Sequence, residues 1–338
     1  MPSERIAIVK LTSLGDIIHT LPMAAAIRDH RPDASVIWII EEHEQVLLRG
    51  NPVVDEIVVA PLRRWRRWAW EGRLAPVVRE IRGLNARLRA LRADVAIDVQ
   101  GWTHKTSPIV VLTRAPVRIG FTRSHARRSW STRFTTHHVA PPPEAAHVVD
   151  QNLALLQPLG IDATARFVLP DWPDAERRAI EWMEMERIAA GTPIVLLPST
   201  RRRSKFWPAT AFAELARRLA ATTGRPLVMV GGPGERPLLE EIVARAATPT
   251  LRSYTPESIT DVARFLARAS LVIGNDTGPL HLAAVAGVPA IGLFGPTRGA
   301  RNGPYGPSGS YIQSPTRRMS DIPVDQVFAA AARALRPK

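Results

Sequence analysis

The chain has 338 residues, 45% of them hydrophobic and none of them cysteine. That is enough for two domains with ordinary cores, and it excludes disulfides, thiolate metal sites and cysteine nucleophiles. A net charge of +14 calls for an anionic partner: nucleic acid, lipid head groups or a phosphorylated sugar.

Of the 45 basic residues only Lys10, Lys105, Lys205 and Lys338 are lysine. Much of the arginine therefore reads as a compositional preference, and the surviving lysines stand out. No apolar run reaches the ~18 residues of a membrane span. The opening MPSERIAIVK lacks the apolar core and small-residue cleavage site of a secretory signal. A soluble cytoplasmic protein is expected.

Residues 5–11 (RIAIVKL) read as a buried strand, followed by the turn Thr12-Ser13-Leu14-Gly15-Asp16. Ile17, Ile18, Leu21, Ala24, Ala25 and Ile27 keep helical spacing, which predicts a helix over 17–30 with Gly15-Asp16 at its start. Two readings of Asp16 stand side by side. It caps the helix, a role worth about 1 kcal/mol, or it faces the crevice at the carboxyl ends of the strands, ionised and able to take a proton. His19, one turn on, reads as a packing residue.

Strands follow at 35–40 and 57–59, and then LRRWRRWAWEGRL, where Arg63, Arg64, Arg66 and Arg67 alternate with Trp65, Trp68 and Trp70. Such a run serves as a nucleic-acid stacking surface, as an interfacial anchor on a membrane, or as a solvated loop with tryptophan filling the core behind it. Residues 74–91 continue as an arginine-rich amphipathic helix. The strand 95–98 ends in Asp98-Val99-Gln100-Gly101, and a helix carrying Lys105 comes next. Asp98 and Gln100 either brace this turn or line the cleft.

After strand 117–119 comes a second cationic cluster, Arg118, Arg123, Arg127, Arg128 and Arg133, read as a mobile loop over the same cleft. A stiff triple-proline turn at 141–143 and a helix over 145–156 with His147 close the first domain.

The proline-rich stretch 167–174 reads as the linker, and a charged helix over 176–187 opens the second domain. The strand 193–197 ends in Pro198-Ser199-Thr200 and a basic loop, Arg201 to Lys205, a candidate phosphate cradle. The strand 225–230 ends in Gly231-Gly232-Pro233-Gly234-Glu235, where Glu235 is placed to accept from ribose hydroxyls. No complete GxGxxG with a suitably spaced acid exists, which disfavours a dinucleotide site.

A helix over 258–267 leads to residues 271–296, LVIGNDTGPLHLAAVAGVPAIGLFGP. Here strand, polar turn and helix succeed one another, the arrangement in which backbone amides and a hydroxyl grip phosphate. A Gly/Pro/Ser-rich stretch to 314 and an amphipathic helix over 324–335 finish the chain.

This last motif closely resembles the nucleotide-sugar signature of the family 9 glycosyltransferases, the ADP-heptose:lipopolysaccharide heptosyltransferases. The resemblance extends to KLTSLGDIIHTLP at the N-terminus, the Arg-Arg-Trp-Arg run, the Asp-x-Gln-Gly element and Ser204-Lys205-Phe206-Trp207-Pro208. It covers nearly the whole chain and favours the type I members over type II. Pro279, Leu280 and the basic Arg201 to Arg203 depart from the pattern, which affects the fine donor contacts.

The resemblance implies an α/β fold of GT-B-like architecture, two Rossmann-like parallel-sheet domains facing a central cleft. The expected domains are 1–168 for the acceptor and 169–320 for the nucleotide-sugar donor, with the helix in 321–338 crossing back to the first. It also implies an inverting transfer of heptose from ADP-heptose to the Kdo-containing inner core of lipopolysaccharide, with no cofactor or metal. Asp16 is then the general base. Thr200, Lys205, Glu235, Asp276, Thr277, Gly278 and His281 hold the donor. Ser13, Gly15, Arg63, Arg64, Arg66, Arg67, Gln100, Lys105 and Arg123 hold the anionic acceptor, Kdo-lipid A, at the inner face of the inner membrane. Nucleic acid is not an expected partner. The alternatives are a family relative with another donor or acceptor, and a non-catalytic protein binding nucleic acid or a membrane surface.

Overall fold

The computed structural model describes residues 4–101 and 105–336. The chain divides into two compact units, Met1–Asp171 and Trp172–Lys338. The division falls at 171/172, inside the Pro-rich stretch 167–174 that reads as the linker and just before the helix Pro173–Met185.

The first unit has β1 (Arg5–Val9), β2 (Ser35–Ile40), β3 (Glu56–Val59), β4 (Val95–Asp98), β5 (Val117–Phe121) and β6 (His137–Val139) in one parallel sheet of order β3-β2-β1-β4-β5-β6. The second has β7 (Ile194–Leu197), β8 (Leu227–Val230), β9 (Leu251–Tyr254), β10 (Leu271–Asn275), β11 (Ala290–Phe294) and β12 (Gly309–Gln313), ordered β12-β11-β10-β7-β8-β9 and also parallel. Counted within its own unit, each sheet runs 3-2-1-4-5-6. The strand order reverses between β1 and β4, and again between β7 and β10. In open α/β sheets, ligands bind outside the carboxyl ends of the strands at that reversal.

Central strands here are continuous apolar runs because both faces are covered. In the second unit, alternate residues divide between two cores. Ile194, Leu196, Leu271 and Ile273 point to one, and Val195, Leu197 and Val272 to the other. Gly274 is required by closeness: a Cβ there meets Leu197 Cβ at 2.5 Å.

Several local expectations change. The helix predicted over 17–30 is two, Leu14–Ile18 and Leu21–His30, with Pro22 in the first turn of the second. Ser13, not Asp16, is the N-cap. The Arg-Trp run is the helix Leu62–Trp70, which removes the loop from its three readings. Arg118 belongs to β5, where its guanidinium donates to Phe134 O at 2.9 Å and Ala115 O at 2.8 Å, so it is a structural residue. The closing helix, Val324–Ala334, is part of the second unit: Val327 and Ala331 are buried in its core, and Asp325 pairs with Arg218.

Candidate active site

In the first unit the site grows from the end of β1. Lys10 is buried, and its carbonyl accepts from Trp38 Nε1 at 3.0 Å. The chain then turns into the helix Leu14–Ile18, which carries Asp16 back over the lysine. Asp16 Oδ2 accepts from the Ser13 N–H at 3.1 Å and the Ser13 hydroxyl at 2.7 Å. Lys10 Nζ lies 3.8 Å from Oδ1. Burial works to raise the Asp16 pKa, but the Lys10 charge, the two Ser13 donors and the more distant Arg127 outweigh it and hold the carboxyl below its usual range. The carboxylate is ionised at neutral pH and partly open to solvent.

Asp98, across the strand reversal at the end of β4, is a different kind of acid. It is completely buried, accepting from the N–H groups of Gln100 (3.2 Å) and Gly101 (2.8 Å) and from the Ser107 hydroxyl (2.8 Å). Burial still raises its pKa. Of its two readings, the geometry assigns it to the turn, which Gly101 completes at φ +59°.

Lys105 sits in a cationic neighbourhood. Burial lowers its pKa, and so do the charges of Arg66, Arg127 and Arg63, partly offset by Glu41. Mutually repelling cations held together attract an anion. The remaining arginines expected here divide. Arg63 is ion-paired to the buried Glu44 at 2.6 Å, and its N–H reaches Glu41 at 3.2 Å. Arg64 pairs with Glu42 (2.6 Å) and Glu80 (3.0 Å). Arg66 and Arg67 are exposed, the latter 3.7 Å from Glu71. Arg123 is exposed. Lys10 is a residue that sequence reasoning did not assign to this site, and Arg127 was read only as one of a cationic cluster over the cleft. Retention of a lysine in an arginine-rich chain was the available signal for Lys10; nothing local distinguished Arg127 from its neighbours.

His19 is buried edge-to-face against His147, with ring centroids 5.2 Å apart. His147 Nδ1 accepts from Val149 N–H at the start of the helix Val148–Ala154. Both histidines are packing and capping residues.

In the second unit the strand ends at β7 and β10 are clamped together by Asn275. Its side chain donates to Pro198 O (2.6 Å) and accepts from Trp207 N–H (3.1 Å). Trp207 is fully buried and donates to Ile322 O. This anchored tryptophan explains the Lys-x-Trp spacing, since it fixes the backbone from which Lys205 reaches across.

Lys205 Nζ is 2.5 Å from Asp276 Oδ2, which also accepts from Thr297 Oγ1 at 2.6 Å. The pair is mostly buried, at 17% and 11% side-chain exposure. An anion does not itself hold an anion; Asp276 holds the cation that can. Asn275, expected only as part of the turn, and Thr297 are further contributors, through contacts with residues distant in the chain.

The helix Gly278–Val285 begins beside this pair with Thr277 at the N-cap, and the Thr277 hydroxyl does not cap it. Its first turn leaves backbone N–H groups without helical partners, although Pro279 has none to give. His281 is buried within the helix. Thr200 is half-buried at the end of β7. Glu235 Oε2 accepts from Gly232 N–H at 2.7 Å, closing the loop after β8. A Cβ on Gly231 would lie 2.9 Å from that oxygen and 3.0 Å from Ser199 Oγ. The Ser199 hydroxyl is itself buried without a partner. This second group therefore offers a fixed cation, first-turn amides and hydroxyls at the neighbouring ends of β7, β8 and β10, the chemistry that receives a diphosphate. Among the described residues no group of three or more His, Asp or Glu is placed to hold a metal ion.

Residues 81–327 match the glycosyltransferase family 9 (heptosyltransferase) pattern. Lipopolysaccharide heptosyltransferase 1 of Salmonella typhimurium is 28% identical over 96% of this chain and 98% of its own. Among solved structures, the E. coli heptosyltransferase WaaC with ADP superposes with a TM-score of 0.78 at 26% identity, covering 98% of this chain and 99% of that one. The same enzyme with ADP-2-deoxy-2-fluoro heptose gives 0.76 at 26% identity, covering 97% and 99%.

Proposed function

Since the chain belongs to glycosyltransferase family 9, we propose that it transfers heptose from ADP-heptose to the Kdo-containing inner core of a lipopolysaccharide precursor, with inversion at the anomeric carbon. Support for the donor comes from the likeness to a heptosyltransferase solved with ADP and with an ADP-fluoroheptose. Support for the acceptor comes from the name of the similar Salmonella protein. The observation that carries the reading is Lys205, held 2.5 Å from Asp276 at the mouth of the helix Gly278–Val285.

In the reaction, Asp16 takes the proton of the acceptor hydroxyl as its oxygen bonds to the anomeric carbon. The bond from that carbon to the diphosphate oxygen breaks, and its electron pair leaves with ADP. Attack opposite the leaving group inverts the centre. Lys205, the Thr277 hydroxyl and the amides of the first helical turn stabilise the growing diphosphate charge without a metal ion. Thr200 and Glu235 position the rest of the donor. Arg63, Arg66, Lys105 and Arg127 hold the acceptor's anionic groups. With Lys10 beside it, Asp16 is a weak base, so its contribution rises late, as the hydroxyl becomes acidic in the transition state.

A lipid-anchored acceptor places the work at the cytoplasmic face of the inner membrane. Among the described residues no helix is long and apolar enough to cross a membrane.

The test is transfer from ADP-heptose to a deacylated Kdo acceptor, with the product's anomeric configuration read by NMR. Asp16→Asn is expected to lower turnover by about 100- to 10,000-fold while leaving ADP binding intact. Near-normal turnover rejects Asp16 as the base. Selective binding of UDP or GDP over ADP replaces the donor.

A further inference from the structure

The helices Leu62–Trp70 and Leu74–Ala90 form a hairpin on the first unit, joined by Glu80, whose carboxylate accepts from Trp65 Nε1 at 2.6 Å and from Arg64. In the second helix the apolar residues keep to one stripe. Its C-terminal half is buried in the core through Leu88, with Leu84 packed alongside. Its N-terminal half carries Leu74, Val78 and Ile81, at the spacing of one helical face, and all three are uncovered: 60%, 46% and 43% exposed. Trp70, at the end of the first helix, is 87% exposed. Trp68 differs, with the guanidinium groups of Arg64 and Arg73 over its ring.

Large apolar side chains left uncovered along one helical face mark a contact surface. Its setting identifies the partner. Residues 62–90 contain nine arginines and two glutamates. Of the two acids, Glu80 is taken by Arg64 and Trp65, and Glu71 lies near Arg67 and Arg73. Apolar side chains with an indole among them, rimmed by cations whose stems are themselves apolar, match an anionic bilayer: chains below, phosphate above.

We infer that this hairpin docks the protein on anionic lipid, with Trp70, Leu74, Val78 and Ile81 entering the head-group boundary and Arg73, Arg79 and Arg82 meeting lipid phosphates. The inference rests on the proposed lipid-linked acceptor only for its purpose, since the surface is present whatever the enzyme transfers. It explains why the same helix is core-like at one end and uncovered at the other.

The chain has no cysteine, so Leu74→Cys provides a single attachment point for an environment-sensitive fluorophore in the full-length protein, with Tyr311→Cys on β12 as the control. Vesicles of phosphatidylcholine containing phosphatidylglycerol are expected to blue-shift and brighten the probe at position 74 and leave position 311 unchanged. Pure phosphatidylcholine and a single-stranded RNA are expected to do little. Replacing Trp70→Ser and Ile81→Ser together should reduce co-sedimentation with anionic vesicles about tenfold or more, without altering transfer to a deacylated acceptor.

An unresponsive probe at position 74 overturns the inference, as does an equal response at 311, a response to RNA alone, or one that needs only higher protein concentration. If heptose transfer proceeds while vesicles have no effect, docking fails and the enzymatic reading stands. If vesicles act on the probe while no transfer from ADP-heptose occurs, the reverse holds.

Discussion

Lys10 lies beneath Asp16: its ammonium is 3.8 Å from Oδ1, with a side chain 5% exposed against 37% for the aspartate. The lysine keeps the carboxylate charged where burial alone would favour the acid. Replacing Lys10→Met removes that attraction and leaves burial opposed mainly by Ser13, so the Asp16 pKa rises. The acid limb of the kcat/KM profile is expected to move to higher pH, with ADP affinity unchanged, and Lys10→Arg should restore it in part. A profile that does not move shows that Asp16 does not set that limb. The same pair acts on stability. With its folded pKa depressed, Asp16 contributes stability above its unfolded pKa that is lost as pH falls through the folded value. In Lys10→Met that contribution shrinks.

Lys205 and Asp276 are coupled in the same way in the second unit. Removing either leaves the other charge mostly buried, which costs about 3 kcal/mol for pairs of this kind. Lys205→Ala and Asp276→Ala should each lower stability in urea melts. The double variant should lose much less than their sum. ADP affinity should fall about tenfold or more in Lys205→Ala, the worth of a charge-assisted hydrogen bond. Additive stability losses would show that the two charges act independently.

Asp98 is a bracing carboxylate, unlike Asp16, the proposed base. Asp98→Ala strands the Gln100 and Gly101 amides and the Ser107 hydroxyl, a loss of about 3 kcal/mol. Asp98→Asn keeps the shape without the buried charge. Because the folded pKa is raised, the wild-type contribution is fully present at low pH and declines as pH rises through that value. Asn is therefore expected to match or exceed wild-type stability near neutral pH, with turnover largely kept. A large loss of turnover in Asn with stability intact would return Asp98 to the chemistry.

Glu80 joins the hairpin. Burial acts to raise its pKa, but the Trp65 and Arg64 donors lower it overall. Its contribution is present above the unfolded pKa and lost as pH falls through the lower folded value. Glu80→Gln should remove this acid dependence, and Glu80→Ala should cost about 1 kcal/mol after allowing for partial exposure. Comparing thermal melts at neutral and acid pH checks both. A wild-type protein whose acid sensitivity is shared equally by Glu80→Gln rejects the assignment.

Much of the α/β plan was legible. The central strands 35–40, 95–98, 193–197 and 271–273 announced themselves because doubly covered strands must be apolar throughout. The edge strands β6, β9 and β12 went unseen: HHV, LRSY and GSYIQ have no such run, since an edge strand is partly solvated. The single helix over 17–30 failed because apolar spacing continues across residues 19–20 while the backbone does not. The Arg-Trp run left a loop among its readings because its buried helical face is narrow, with only Trp65 buried.

Local sequence determined where chemistry collects, because a strand, a polar turn and a helix N-terminus are all short-range and their residue types are dictated by backbone geometry. On that basis it drew attention to the turns around Asp16, Lys205 and Asp276-Thr277-Gly278, and the resemblance to the heptosyltransferases supplied the roles expected of them. Only the tertiary structure decided what each charge does. Lys205 finds Asp276 across 71 residues, and Arg63 finds Glu44 across 19. Arg127 is brought by folding, not by spacing, to where its charge acts on both Asp16 and Lys105. Charge is written in the sequence, but its partner and its solvation are properties of distance and burial, which arise only when strands far apart in the chain end at the same edge.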